Sequence, residues 1–100
     1  MEKAKPHHDL AHVQADVANL GAAAFTKSAL DGGRTMGLTT AEMLTVIASL
    51  SRHEFYKSMT TYADHRIWQD VYHAITPNRK EAYIKITLRG TTPVIQFKEK

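Results

Sequence analysis

A chain of 100 residues, 43% apolar and 23% charged, is long enough for one domain around one core and too apolar for a disordered tail. No apolar run approaches the ~20 residues of a membrane helix, and Met1-Glu2-Lys3-Ala4-Lys5-Pro6 leads into histidines, so no secretion signal is expected. With no cysteine, a disulfide framework and a thiolate metal site are excluded, which fits the cytoplasm. The net charge of +3 is unevenly placed: residues 1–50 hold four Lys/Arg against five Asp/Glu, residues 51–100 nine against five. The basic half also carries Tyr56, Tyr62, Trp68, Tyr72 and Tyr83. Cations mixed with aromatic rings suit a nucleic-acid surface, but charge alone favours an ordinary solvated face beside a core.

In chain order, Leu10, Val13, Val17 and Leu20 form one stripe of an amphipathic helix over about residues 8–20, ended by Gly21. A short helix follows Thr26 as far as Leu30, where Asp31-Gly32-Gly33 is read as a breaker. Thr39 and Glu42 make a capping box for a third helix burying Met43, Leu44, Ile47 and Leu50. Ser51 and Glu54 repeat that pattern ahead of Phe55-Tyr56-Lys57, predicting a further short helix or turn.

From Arg66 the period changes. Ile67 to Ile75 is rich in aromatic and β-branched residues. Tyr83 to Leu88 alternates with Ile84, Ile86 and Leu88 on one face, and Val94 to Lys98 alternates with Ile95 and Phe97 inward. Turns at Thr76–Arg79 and Arg89–Pro93 are too short for crossovers, so these strands form an antiparallel meander. Helices followed by a sheet define a single α+β domain over residues 1–100, the N-terminal helices packed on one face of a C-terminal antiparallel sheet.

The open face is the place for chemistry. Tyr83, Lys85, Gln96 and Lys98 share it, with Tyr83 close to Lys98, and either Trp68/Asp70/Tyr72 or Gln69/Val71/His73 joins them. A phenol, ammonium groups and an amide can bind a phosphodiester, move a proton and stabilise negative charge. Clustered lysines are expected to lower one another's pKa values. His8 and His12 stand one helical turn apart with Asp16 a turn further on, a weak zinc signal that surface histidines explain as well. A core anchor is the expectation for Trp68 beside Ile67 and Val71, and packing the expectation for Met59. No Gly-rich phosphate loop or nucleophile elbow is present.

The run Glu54-Phe55-Tyr56-Lys57-Ser58-Met59-Thr60-Thr61-Tyr62, continued by Asp64-His65-Arg66-Ile67-Trp68-Gln69-Asp70-Val71-Tyr72, resembles the MqsR family of motility quorum-sensing regulator toxins. So do Tyr83-Ile84-Lys85-Ile86-Thr87 and the ending Phe97-Lys98-Glu99-Lys100. The resemblance is close over residues 54–72, good in the last two strands and slight over residues 1–50; it departs at Tyr72–Ala82 and Arg89–Pro93. It implies a RelE/YoeB-like fold and a toxin of a type II toxin–antitoxin system that cleaves messenger RNA without ribosome or metal at GC-containing, GCU-like sites. No cofactor is implied. The partner implied is an MqsA-like, zinc-containing antitoxin, and operator DNA is met only through the toxin–antitoxin complex, which represses its own operon.

By the same resemblance Lys57, Gln69, Tyr83 and Lys98 are the catalytic residues, and Tyr56 and Met59 position the RNA. Gln69 rather than Trp68 then lies on the open face. A set without metal ligands implies attack by the RNA's own 2′-hydroxyl, with Tyr83 or a lysine taking the proton and Lys57 and Lys98 bearing the phosphorane charge. A non-catalytic RNA- or antitoxin-binding module and a ribosome-dependent RelE-type nuclease are the alternatives.

Overall fold

The computed structural model describes residues 1–100, and its architecture is the expected α+β one. Helices α1 (Leu10–Leu20), α2 (Lys27–Thr35) and α3 (Thr40–Ser49) lie on a five-stranded antiparallel sheet of β1 (Glu2–Lys3), β2 (Phe55–Thr60), β3 (Trp68–Ile75), β4 (Glu81–Arg89) and β5 (Thr92–Glu99), in spatial order β1-β2-β3-β4-β5. No helix is long and apolar enough to cross a membrane.

Helix α1 begins where the Asp9 side chain accepts from the His12 amide, buries Val13 and Val17, and stops at Gly21, whose φ of 61° suits a residue without Cβ. A 3₁₀ turn, Gly21–Ala24, then lays Phe25 beside Ile95, and the Thr26 amide donates to the Ile95 carbonyl at 3.1 Å. The outer edge of β5 is thereby covered rather than left to pair with another chain. Helix α3 opens with the expected Thr39–Glu42 capping box. Its last carbonyls, those of Ile47, Ala48 and Leu50, all accept from Gln14 of α1, which satisfies groups that a helix end leaves unpaired.

Two elements differ from the sequence reading. Helix α2 does not break at Asp31-Gly32-Gly33 but continues through it to Thr35. The glycines serve close packing instead: a Cβ on Gly32 would meet the Phe97 carbonyl oxygen of β5, and one on Gly33 would meet the Met43 side chain of α3. The stop comes at Gly37, with φ of 84°. Secondly, the short helix or turn signalled by Ser51 and Glu54 is present as the 3₁₀ turn Arg52–Glu54, capping box included, but it stops before Phe55-Tyr56-Lys57, where a strand, β2, starts. Its ladder with β3 pairs Phe55 with Tyr72 but Lys57 with Val71, so Tyr56 is an inserted, bulged residue.

The core lies between the helices and one face of the sheet. Val13, Val17, Met43, Val46, Ile47 and Leu50 meet Tyr72, Ile84, Ile86, Ile95 and Phe97 there. Leu44, expected in that layer, is only partly buried.

Because Gly32 faces rigid backbone and Gly33 a flexible side chain, alanine at the two positions separates packing from helix propensity. Propensity alone would make each alanine stabilising by about 1 kcal/mol. Gly32→Ala is expected to destabilise by about 1–3 kcal/mol through overpacking, and Gly33→Ala by less, in urea or thermal unfolding. A stabilised Gly32→Ala contradicts the packing role.

Candidate active site on the open face of the sheet

Strand register decides which side chains share the open face. His73 pairs with Tyr83 and Tyr83 with Lys98; Val71 pairs with Lys85 and Lys85 with Gln96; Met59 pairs with Gln69. The Gln69/Val71/His73 set therefore joins this face, while Asp70 and Tyr72 pair with Ile86 and Ile84 on the core side. The bulge turns Lys57 outward onto the same face and Ser58 inward. Three rows cross the sheet: Met59–Gln69, Lys57–Val71–Lys85–Gln96 and His73–Tyr83–Lys98. Successive rows lie two residues, about 7 Å, apart along the strands.

The rows gather the expected residues unequally. Tyr83 and Lys98 line one cleft of about 470 Å³ with Lys85, Gln96, Thr26 and Ser28. Lys98 Nζ lies 5.5 Å and Lys85 Nζ 5.8 Å from the Tyr83 ring centre. Gln69 and Met59 line a second cleft of about 340 Å³ with Lys85, Tyr62 and His65, and the Gln69 amide donates to Thr87 Oγ1 at 3.1 Å. Lys57 stands in the middle row, and Tyr56, exposed, stacks on His73 with ring centres 4.4 Å apart. A larger cleft of about 600 Å³ opens off this face between α3 and the end of β3. Its titratable lining is His53, Glu54 and His73, with no lysine or arginine, so it lacks the fixed positive charge that favours a phosphodiester.

Lys57 corrects the expectation that lysines here depress one another. Its ammonium group donates to Glu2 Oε2 at 2.9 Å, and that hydrogen bond is the main reason its pKa is raised rather than lowered. Lys57 is thus a held cation and a poor base at neutral pH.

Glu2 reaches it because the N-terminal segment is anchored by a buried carboxylate. Asp70, 1% exposed, accepts from the His7 amide at 3.0 and 3.1 Å, the His8 amide at 2.9 Å and Ser58 Oγ at 2.6 Å. Trp68 belongs to this anchor and not to the core: half-buried, it stacks on His7 at 5.2 Å with Lys3 Nζ 4.2 Å from its ring centre. His8 is engaged with the Trp68 carbonyl, and no three His, Asp or Glu side chains gather as metal ligands, so His8, His12 and Asp16 do not form a zinc site.

Sequence reasoning missed Glu2, for which it held no signal, and offered His73 on this face only as part of one of two alternative sets, with no role assigned to it. His73 lies between Tyr56 and Tyr83, 5.4 Å from the latter, with its Nε2 buried and unpartnered. Burial, and then the Lys100 charge, lower its pKa from the ordinary 6.5, with Glu81 opposing.

The whole chain aligns with the mRNA interferase toxin MqsR of Escherichia coli (strain K12), 44% identical over 100 residues that cover all of both proteins. The toxins defined by that likeness are matched in a family model too: residues 5–99 fit the model described as motility quorum-sensing regulator, toxin of MqsA. The chain belongs to the MqsR toxin family. The N-terminal half, slight in its motif resemblance, is included in both matches.

The His73 environment sets a sign for acid stability. The unfolded chain takes up the histidine proton near pH 6.5, the folded chain only lower, so stability is intact above that value and is lost as pH falls through the window beneath it. His7, lowered chiefly by burial and next by Lys3, adds in the same direction. Between pH 7 and 5 the melting temperature of His73→Phe is expected to fall less than the parent's; equal falls contradict the assignment.

Proposed function

We propose that the chain is the toxin of a type II toxin–antitoxin system: an endoribonuclease that cleaves messenger RNA at GC-containing, GCU-like sites, needing neither ribosome nor metal. An MqsA-like, zinc-containing antitoxin neutralises it, and the pair represses its own operon. Family membership makes it an endoribonuclease of the mRNA interferase kind. What carries the reading of the site is one observation: Lys57 of β2, Tyr83 of β4 and Lys98 of β5 lie on a single solvent-facing surface that spans four adjacent strands, Lys98 directly opposite Tyr83 and Lys57 in the next row.

That arrangement suits in-line transesterification. The 2′-oxygen forms a bond to phosphorus as the bond from phosphorus to the 5′-oxygen breaks, leaving a 2′,3′-cyclic phosphate and a 5′-hydroxyl. Tyr83, in its phenolate form, accepts the 2′-proton. Lys57, kept protonated by Glu2, and Lys98 hold the charge that develops on the phosphorane oxygens, and one of them protonates the departing 5′-oxygen. Gln69 lies in the far row, four residues or about 13 Å along the strands from Tyr83, which favours contact with a base edge over contact with the reacting phosphate. Tyr56 and Met59 position the flanking nucleotides.

The test is incubation of a short GCU-containing RNA with the protein in EDTA, alongside Lys57→Ala. The parent is expected to cut, leaving cyclic-phosphate ends, and the variant to lose about 10²–10⁴-fold in rate. A substrate lacking the 2′-hydroxyl at the scissile nucleotide stays intact. RNA cut only when ribosomes are added points to the RelE-type reading, and RNA intact in every lane to a binding module.

A further inference from the structure

The two clefts of the open face are lined by different residues with one exception. Lys85 lines both: the Tyr83/Lys98 cleft beside Thr26 and Ser28, and the Met59/Gln69 cleft beside Tyr62 and His65. It stands in the middle row, between Val71 and Gln96, two residues along β4 from Tyr83 and two from Thr87. Unlike Lys57, it has no carboxylate partner. Val71, opposite it, is fully buried although it lies on the open face, so the Lys85 stem and its neighbours close over apolar surface while the ammonium group stays wet.

We infer that Lys85 is an RNA-binding residue that holds the phosphate bridging two nucleotide subsites, one in each cleft, so that the protein recognises a single strand longer than the cleaved step. This rests on the nuclease reading of the face and deepens it. An unpaired cation that lines both of two neighbouring clefts is where the phosphate of a strand passing from one cleft to the other falls. The cleft beyond it carries the features of a base subsite. Tyr62 is fully exposed at the rim, a free aromatic face for stacking, and Gln69 is held by Thr87 with its amide inside. The cleft on the near side is bounded by the start of α2, where Thr26 and Ser28 line it together with Lys98.

The inference separates from catalysis in a kinetic experiment on a seven-nucleotide RNA centred on GCU. Lys85→Met keeps the stem over Val71 and removes the charge. Its KM is expected to rise about tenfold while kcat falls by no more than about twofold, and Lys85→Arg restores KM. The slope of log KM against log salt loses about 0.7, the value for one phosphate contact on a single strand. An unchanged KM and slope overturns the inference, and so does a loss confined to kcat, which would assign Lys85 to the reacting phosphate. Fluorescence anisotropy with the same RNA carrying a 2′-deoxy scissile nucleotide repeats the comparison without cleavage. A parent that binds but never cuts the all-ribose RNA dismisses the nuclease reading alone, and the salt slope still decides Lys85. A parent that does not bind overturns both.

Discussion

Between Phe55 and Lys57 the ladder joining β2 to β3 takes in one extra residue, and the side of the sheet on which the rest of β2 lies is decided there. With strict alternation, Phe55 inward would put Lys57 inward as well. The bulge at Tyr56 reverses the phase, so that Lys57 and Met59 face solvent with Tyr83 and Lys98, and Ser58 faces the core. Ser58 is then in place to donate to Asp70, a carboxylate that its 1% exposure would make very costly without donors around it. The remaining donors are the His7 and His8 amides, which tie the start of the chain to the middle of the sheet. Met1 and Lys3 close that tie, the Thr60 amide donating to the Met1 carbonyl and Lys3 lying over Trp68. One irregular residue thus leads to the Glu2–Lys57 pair, more than fifty positions apart in sequence.

That pair changes how the face works as an electrostatic device. Lysines at mutual repulsion would shed protons; a lysine hydrogen-bonded to a carboxylate retains its own. In the proposed mechanism, charge stabilisation and proton abstraction are therefore divided among different residues instead of being shared by a lysine cluster. The carboxylate also occupies the Lys57 ammonium in the free protein. On the proposed reading, an RNA phosphate reaching Lys57 would meet a cation already oriented and would compete with Glu2, itself largely exposed, for it.

Much of the fold was legible because its elements are regular. The 3.6-residue stripe of α1, the capping box of α3 and the period-two strands β4 and β5 carry their faces openly, and the tight turn between the last two strands was enough to put Tyr83 opposite Lys98. The misreadings share a cause, local signals overridden by contacts distant in sequence. Gly32 and Gly33 look like breakers until β5 and α3 are seen pressed against them. Phe55 to Thr60 hides its strand because a bulge erases the alternation and the preceding Ser51–Glu54 cap is genuine but caps only a 3₁₀ turn. The family motifs carried the four proposed catalytic positions; nothing local could carry Glu2, His7 or His8 to their partners.

The central claim is that the open face of the sheet, and no other surface, receives the RNA. The direct measurement is an amide and side-chain NMR titration of the ¹⁵N-labelled protein with a GCU-containing RNA bearing a 2′-deoxy scissile nucleotide. Shifts concentrated at Tyr56, Lys57, Gln69, Tyr83 and Lys98, leaving the outer surfaces of α1 and α3 unmoved, are the result predicted. Shifts centred on those helices, or on the cleft between α3 and the end of β3, would contradict it.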